Sequence, residues 1–114
     1  MVDLMHFRYN AVHRGAEKDI FPYIPEKLGP GMVLFTATNW GKLINPKKMP
    51  QGHKVPMAAD AYRFVLSNSA VHVCMTGTKT REEMKEDLLV LDKGPMTEEE
   101  LKEIRFLGDY QYRH

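Results

Sequence analysis

Cysteine, long apolar runs and surplus charge are all scarce in this sequence. Cys74 is the only cysteine, which excludes an internal disulfide framework and a cysteine-based zinc cluster and is typical of a reducing, cytoplasmic compartment. No apolar run approaches the roughly 20 residues of a membrane span, and the N-terminus has no basic segment followed by an apolar core. Neither a membrane anchor nor a signal peptide is therefore predicted. A formal net charge of +1 argues against a protein that coats nucleic acid.

Apolar residues make up 43% of the sequence, enough for one packed core, so residues 1–114 are predicted to form a single domain. The charge is unevenly distributed: residues 1–79 carry ten basic and five acidic side chains, whereas residues 80–114 carry six basic and ten acidic ones. The densest basic stretch contains no acid and holds four lysines, Lys42, Lys47, Lys48 and Lys54. This stretch is either a solvated loop or the surroundings of an anionic ligand.

Three short apolar runs are predicted as strands, at residues 4–9, 32–37 and 71–75. The second run has no polar alternation, which is typical of a strand covered on both faces, as in parallel sheets. A short helical pattern at residues 16–21 separates the first two runs. Strands that alternate with helices favour right-handed crossovers, so the predicted fold class is α/β with a parallel sheet.

A helix is predicted at residues 58–66, and two more are predicted after Thr80 and Thr97. Each of these threonines is followed three residues later by a glutamate, the capping-box pattern that begins a helix. The apolar stripes predicted to be buried are Met84, Leu88 and Leu91 in the first helix and Leu101, Ile104 and Leu107 in the second. Gly94 is predicted to end the first helix and Gly108 the second.

The strongest local sign of chemistry is the loop of residues 76–80, Thr-Gly-Thr-Lys-Thr, which joins the third strand to a helix. Unpaired N–H groups at a helix start attract anions, Gly77 permits close approach of the backbone, and Lys79 adds a positive charge. The loop matches neither a Walker motif nor the GxGxxG fingerprint. It is therefore either a phosphate site or an ordinary turn with a helix cap. The five histidines have no regular ligand spacing, so no metal site is predicted.

Three stretches, in order along the chain, resemble one enzyme family. Residues 8–17 (RYNAVHRGAE) resemble the sixth strand and following loop of the aldo/keto reductases, and residues 35–41 (FTATNWG) resemble the seventh strand and its loop. Residues 62–84 resemble the seventh helix, the eighth strand and the adenosine-phosphate loop, and the likeness as a whole covers about residues 3–107. The resemblance implies a partial (β/α) barrel of about three parallel strands with flanking helices, corresponding to the C-terminal part of a TIM barrel.

The resemblance also implies an NADP(H) site. By position, the adenosine phosphate would be held by four residues of the loop, Gly77, Thr78, Lys79 and Thr80. Glu83 and Asp87 would lie beside the adenine, although Asp87 stands where an asparagine is common in the family. Phe35 would lie near the nicotinamide and Thr36 near the pyrophosphate. Looser assignments place Thr38 and Trp40 on the pyrophosphate path and His6 opposite the nicotinamide amide.

The family's catalytic tetrad belongs to the first half of the barrel, so the resemblance implies no catalytic residue in this chain. With 114 residues against roughly 250 for a complete barrel, three strands leave two edges and an inner face uncovered. We therefore expect self-association into a homo-oligomer, or a partner chain that supplies the missing strands, and no nucleic-acid or membrane partner. Three functions stay open: a cofactor-binding fragment that is inactive alone, a subunit of a split NADP-dependent oxidoreductase, or a non-catalytic oligomeric interaction protein.

Overall fold

A parallel sheet of three strands lies at the centre of the computed structural model, which describes residues 3–25, 27 and 29–114. The strands are β1 (Leu4–Arg8), β2 (Gly31–Phe35) and β3 (Val73–Cys74), hydrogen-bonded in that order. Both pairs of neighbouring strands are parallel. The predicted α/β fold with an open sheet of three parallel strands is therefore confirmed, although β3 is shorter than predicted.

Helices alternate with these strands in the predicted order. In the described part of the chain the α-helices are α1 (Ala16–Asp19), α2 (Ala58–Leu66), α3 (Arg81–Lys93) and α4 (Glu98–Arg113). Both predicted threonine caps are confirmed. Thr80 Oγ1 accepts a hydrogen bond from the backbone N–H of Glu83 at 3.0 Å, and Thr97 Oγ1 accepts one from that of Glu100 at 3.2 Å.

The long connection between β2 and α2 has local structure of its own. It contains the 3₁₀ turns Lys42–Ile44 and Pro46–Lys48, and Asn45 between them accepts a hydrogen bond on Oδ1 from the backbone N–H of Lys47 at 3.0 Å. None of the described helices is both long enough and apolar enough to cross a bilayer. The sequence predicts no signal peptide at the N-terminus. Residues 1–2 of that segment lie outside the described residues.

In the part of the chain that the structure describes, helices cover one face of the sheet and leave the other open. On β2, Met32 and Leu34 are fully buried and belong to a core that includes Tyr9 and Phe64. The intervening side chains alternate to the other face, where Phe35 is exposed. We call this other face the inner face; its residues are Leu4, His6, Arg8, Val33, Phe35 and Val73. The prediction that β2 is covered on both faces is wrong, because the inner face is largely open to solvent.

The predicted buried stripe of α3 is also wrong. Met84, Leu88 and Leu91 are all exposed, and α3 packs mainly against α2. Among the described residues nothing covers the apolar side of α3. The three residues lie at helical spacing, as the sequence indicates, but no described element packs against them.

Gly108 does not end α4, contrary to the prediction, since the helix continues through it to Arg113. The glycine is there for a different reason. A Cβ atom at position 108 would lie 1.9 Å from the backbone carbonyl oxygen of Ala11, a distance that no real contact reaches. Only a residue without a side chain allows α4 to lie directly on the loop that follows β1.

The RYNAVHRGAE stretch holds β1, α1 and α4 together. The buried Tyr9 donates a hydrogen bond from its hydroxyl to Glu17 Oε2, and Arg105 on α4 donates to both carboxylate oxygens of Glu17 at 2.9 Å. Burial, followed by contact with Glu17, raises the pKa of Tyr9. Arg14 in turn forms an ion pair with Asp109 at 2.7 Å. Much of this motif therefore has a structural role.

Candidate functional site

A buried asparagine ties together the loops that follow β1 and β2. Asn10 Oδ1 accepts hydrogen bonds from the backbone N–H groups of Val12 at 2.9 Å and His13 at 2.8 Å. Its Nδ2 group donates to the carbonyl oxygen of Thr36 at 2.8 Å. The asparagine shapes its own turn and fixes the point at which the chain leaves β2. Both loops therefore start from fixed positions at the carboxyl end of the sheet.

The loop after β2 has an unusual backbone. Thr36, Asn39 and Trp40 have φ angles of 63°, 53° and 57°, in the left-handed region that residues other than glycine rarely adopt. The conformation is most costly for Thr36, because its side chain branches at Cβ. Thr38 stabilises the loop: its Oγ1 accepts from the backbone N–H of Gly41 at 3.2 Å. Such strained positions concentrate at ligand sites, which makes this loop a candidate binding element.

Four predicted site residues line an open cavity of about 220 Å³ between this loop, α2 and the start of α3, which we call the α3 cleft. They are Gly77, Thr78, Glu83 and Asp87, and the loosely assigned Thr38 lies opposite them. Lys79 and Thr80 follow in the same loop but do not line the cavity. Phe35 and Thr36, also predicted, lie outside it. The structure thus brings four of the eight predicted residues to one cavity and leaves the other four outside it.

The starts of α3 and α2, which both border the α3 cleft, are already partnered by the chain's own carboxylates. Glu83 Oε2 accepts a hydrogen bond from the backbone N–H of Lys79 at 2.6 Å. Glu86 Oε1 accepts one from the backbone N–H of Ala58 at 3.1 Å. An anionic ligand bound at the N–H of Lys79 would have to displace Glu83 and would lie close to other acids. These contacts lower the affinity expected for a phosphate.

A tyrosine and an aspartate are bridged at the base of the cleft. The Thr76 hydroxyl lies 2.8 Å from the Tyr62 hydroxyl and 2.6 Å from Asp87 Oδ2. Burial raises the pKa of Tyr62, and the negative charge of Asp87 adds to that rise. Burial, again with a contribution from Asp87, raises the pKa of the nearby Cys74 thiol to about 12. Cys74 is therefore a protonated thiol at neutral pH and is unsuited to nucleophilic chemistry.

The remaining predicted residues lie along the inner face and its carboxyl edge. The register sets Arg8 opposite Phe35, and His6 lies two residues earlier on β1. The Arg8 guanidinium is 5.6 Å from the centre of the exposed Trp40 ring, a cation–π contact. Gly77 has open space where a Cβ would lie.

Five residues of the α3 cleft were not among the predicted site residues, although one of them, Thr76, belongs to the predicted loop of residues 76–80. They are Ile44, Ala58, Tyr62, Thr76 and Glu86. Glu86 follows Glu83 by three positions on α3, and residues at that spacing share a helix face. The position of Glu86 in the cleft could therefore have been predicted from that of Glu83. Tyr62 comes from α2, and no local pattern places it against the loop of residues 76–80. Its position depends on how α2 packs against α3.

The fold belongs to a known class, that of the (β/α) barrels, of which it forms an incomplete part. No protein-family model and no curated protein matches the chain. Among solved structures it matches an aldo-keto reductase, AKR11C1 from Bacillus halodurans. For the apo form the TM-score is 0.72 at 19% identity, over 100% of this chain and 47% of that one. For the holo form the TM-score is 0.69 at 20% identity, over 96% of this chain and 45% of that one.

The chain thus spans about half the length of the solved structures it matches. At this level of identity the match concerns the fold. It confirms, for the fold, the resemblance to part of an aldo-keto reductase barrel that the three sequence motifs implied.

Proposed function

We propose that this chain is an aldo/keto reductase-like barrel fragment that binds NADP(H) weakly in the α3 cleft and has no oxidoreductase activity alone. The observation that carries the proposal is the convergence of Gly77, Thr78 and Asp87 with Thr38 around one cavity. These residues come from two separate motifs of the resemblance. In the proposal, the loop of residues 76–80 holds the adenosine phosphate.

The residues of the α3 cleft fit this cofactor in part. Two threonines, Thr38 and Thr78, offer hydroxyl donors, and the space beside Gly77 is open. Lys79 follows in the loop and supplies a positive charge. In the proposal, Phe35 and Thr36 receive the nicotinamide and the pyrophosphate outside the cleft. Against the fit stands Glu83, which accepts from the N–H of Lys79. The expected affinity is therefore low.

Reduction of a carbonyl needs a positioned proton donor within hydrogen-bond reach of the substrate oxygen. The resemblance assigns no member of the catalytic tetrad to this chain, so in the proposal catalysis requires a second polypeptide. The single cysteine, Cys74, supports a reducing compartment, and we propose the cytoplasm.

Binding of NADPH can be measured by isothermal titration with the wild type and two matched lysine variants. Lys79→Ala removes the positive charge of the loop, and we expect a loss of affinity of roughly fivefold or more. Lys93→Ala, in the last turn of α3, is the control and should leave the affinity unchanged. Absence of heat at millimolar NADPH, or equal loss in both variants, would remove the proposal.

A second NADPH test uses the aspartate at the base of the cleft. Asp87→Asn removes a negative charge and keeps an oxygen that can accept from the Thr76 hydroxyl, 2.6 Å away in the wild type. We expect a gain in affinity of roughly threefold to tenfold, because one negative charge is removed from a cleft that would hold an anionic cofactor. Unchanged or weaker binding would contradict the placement of the cofactor in the α3 cleft.

A second candidate function is that of one subunit of a split NADP-dependent oxidoreductase, and the open inner face favours it. Leu4, Phe35 and Val73 are exposed there, although a large exposed apolar surface is unusual in a monomer. In this proposal the covering chain supplies the missing strands and the tetrad. A homo-oligomer that covers the same face would instead make the chain a non-catalytic interaction protein.

Sedimentation velocity separates these alternatives. We expect the purified wild-type chain to associate, and we expect Phe35→Asp to shift it toward monomer without loss of helical circular dichroism. Tyr23→Asp, at an exposed aromatic side chain outside both the inner face and α3, serves as a control for the effect of a new charge. A well-folded wild-type monomer would overturn self-association, and co-purification with a strand-bearing companion would support the split enzyme.

A further inference from the structure

A second cavity lies on the other side of the loop that follows β2. It has a volume of about 400 Å³ and is enclosed by residues 39–48, the loop after β1 and the last turn of α4. We call it the lysine cavity. Its main lining residues are Asn39, Trp40, Lys42, Lys47, Lys48 and Gln111. It shares no lining residue with the α3 cleft, and neither the resemblance nor the proposed function uses its lysines.

The charge of the lysine cavity is positive. Three lysines line it, and no acidic side chain does so among the described residues. These are three of the four lysines of the acid-free stretch in the sequence. The pKa of His13, which also lines the cavity, is lowered by burial and then by the positive charges of Arg8 and Lys42. The surroundings therefore favour a negatively charged occupant.

Two amide side chains of the cavity need hydrogen-bond donors. Asn39 is only 5% exposed, and its Oδ1 has no partner among the described residues. Gln111 donates from Nε2 to the carbonyl oxygen of Lys42 at 2.8 Å, while its own Oε1 is buried and likewise has no partner in the described structure. Buried polar atoms are nearly always hydrogen-bonded, so each of these oxygens points to a missing donor. Inorganic phosphate at neutral pH carries few P–OH donors, whereas a polyol carries several hydroxyl donors.

We propose that the lysine cavity binds a small phosphorylated polyol, such as a sugar phosphate. The lysines would hold the phosphate, and a ligand hydroxyl would donate to the amide oxygen of Asn39. The broad terminal torsion of Asn39 allows its oxygen to turn toward a ligand. Two exposed aromatic side chains at the rim, Trp40 and Tyr112, offer flat surfaces for a ring. The volume falls within the roughly 300–1,000 Å³ that small-molecule sites occupy.

The walls of the lysine cavity are built before any ligand arrives. The backbone N–H of Lys47 donates to Asn45, and Gln111 anchors α4 to the turn that begins at Lys42. The Tyr110 and His114 rings stack with their centres 4.3 Å apart at the end of α4. A site with this much internal hydrogen bonding loses little freedom when a ligand binds.

The test is isothermal titration of the full chain with ribose 5-phosphate, inorganic phosphate and ribose. We expect ribose 5-phosphate to bind more tightly than either of the other two. The double variant Lys47→Gln/Lys48→Gln should bind it roughly tenfold more weakly or worse, because two positive charges are lost. Lys102→Gln, an exposed lysine on α4 outside the cavity, should have no effect.

A second variant tests the hydroxyl contact. Asn39→Gly keeps a residue suited to the left-handed backbone and removes the amide. We expect the affinity for ribose 5-phosphate to fall to that for inorganic phosphate, while the affinity for inorganic phosphate stays the same. Equal binding of the two ligands by the wild type would overturn the proposal, and so would equal loss in the double lysine variant and in Lys102→Gln.

The variant Lys79→Ala, used above for NADPH, distinguishes binding in the lysine cavity from binding in the α3 cleft. Lys79→Ala should leave the affinity for ribose 5-phosphate unchanged. If ribose 5-phosphate instead loses affinity in Lys79→Ala and not in the double lysine variant, the ligand occupies the α3 cleft and the proposal is wrong. Binding in the lysine cavity without any NADPH binding would support this inference while removing the proposed cofactor function.

Discussion

Helices α3 and α4 begin alike and end in different surroundings. Each starts after a threonine whose hydroxyl accepts from the backbone three residues on, and each carries a stripe of apolar residues. On α4 the stripe is buried, with Ile104 at 3% exposure. On α3 it is bare, with Leu88 at 51% and Leu91 at 78% exposure. Two helices with the same sequence pattern thus have very different packing.

The contrast between α3 and α4 shows what the helical spacing of apolar residues does and does not predict. The spacing shows which side of a helix prefers an apolar neighbour, and it does not show whether that neighbour lies in the same chain. Helix α4 finds its neighbours in the loop after β1 and in α2, whereas α3 contacts mainly α2. The bare side of α3 and the inner face are therefore two surfaces whose apolar side chains the described residues leave exposed.

The largest effect that would test this contrast is expected at the close contact of α4. Gly108→Ala places a methyl group where the Ala11 carbonyl oxygen lies, 1.9 Å from the ideal Cβ position. We expect the free energy of unfolding to fall by about 4 kcal/mol or more, since backbone atoms cannot easily move aside. Urea unfolding measures it. Gly15→Ala, whose Cβ would have an ordinary contact at 3.8 Å, is the control and should change stability by at most about 0.5 kcal/mol.

The two stripes themselves can be compared by truncation. Ile104→Ala should lower the free energy of unfolding by about 3 kcal/mol, because it empties space in the core. Leu88→Ala should cost less than about 1 kcal/mol in the isolated chain, because the side chain is already half exposed. Chemical denaturation at several protein concentrations is the measurement. Equal losses for the two variants would mean that α3 is covered in solution.

The caps should behave alike where the stripes do not. Thr80→Ala and Thr97→Ala each remove a hydroxyl that accepts from the first turn, at 3.0 Å and 3.2 Å respectively. We expect each substitution to cost about 1 kcal/mol, the usual value for a lost N-terminal cap. Thermal unfolding followed by circular dichroism detects both changes. A cost confined to Thr97→Ala would show that α3 frays in solution.

The smallest effect concerns pH. The buried Arg63 of α2 binds Glu100 in the first turn of α4 at 2.7 Å, and this contact, helped by the N–H of Thr97, lowers the pKa of Glu100 to about 2. The ion pair therefore contributes stability above about pH 4.5, and the contribution is lost as the pH falls toward 2. The loss should be modest, because the Glu100 side chain is 39% exposed and screened by water.

The pH effect can be isolated with a matched pair of variants on α4. The wild type should lose stability between about pH 4.5 and 2 as Glu100 is protonated and the ion pair breaks. In Glu100→Gln this loss of stability should be absent. Glu99→Gln, one residue away, should retain the wild-type profile. Urea midpoints measured at half-unit pH steps give the comparison, and indistinguishable profiles for Glu100→Gln and the wild type would refute it.

The order of elements and both threonine caps followed from local patterns, because hydrogen bonds within one turn depend on neighbouring residues. Gly108 was misjudged, because its reason lies in a contact with Ala11, far away in the chain. The continuous apolar run of β2 predicted two covered faces. An apolar run of this kind is suited to a strand that is covered on both faces. The described residues cover only one face of β2.

The candidate site divides in the same way. Gly77, Thr78, Glu83 and Asp87 were predicted together, and they share one cavity because the loop and the first turns of α3 are contiguous in sequence. Whether any of them binds a cofactor stays a prediction. The contact of Glu83 with the N–H of Lys79 was not foreseen, because the same glutamate is equally suited to an ordinary capping box. The orientation of the Glu83 side chain decides between the contact with Lys79 and an ordinary capping box.

The loop after β2 lies between the two cavities. Thr38 lines the α3 cleft, whereas Asn39 and Trp40, the next residues, line the lysine cavity. If both proposed ligands bind, a shift of this loop by one of them would change the shape of the other cavity. Thermodynamic linkage would then require symmetry: the factor by which a sugar phosphate alters the dissociation constant of NADPH would equal the factor by which NADPH alters that of the sugar phosphate.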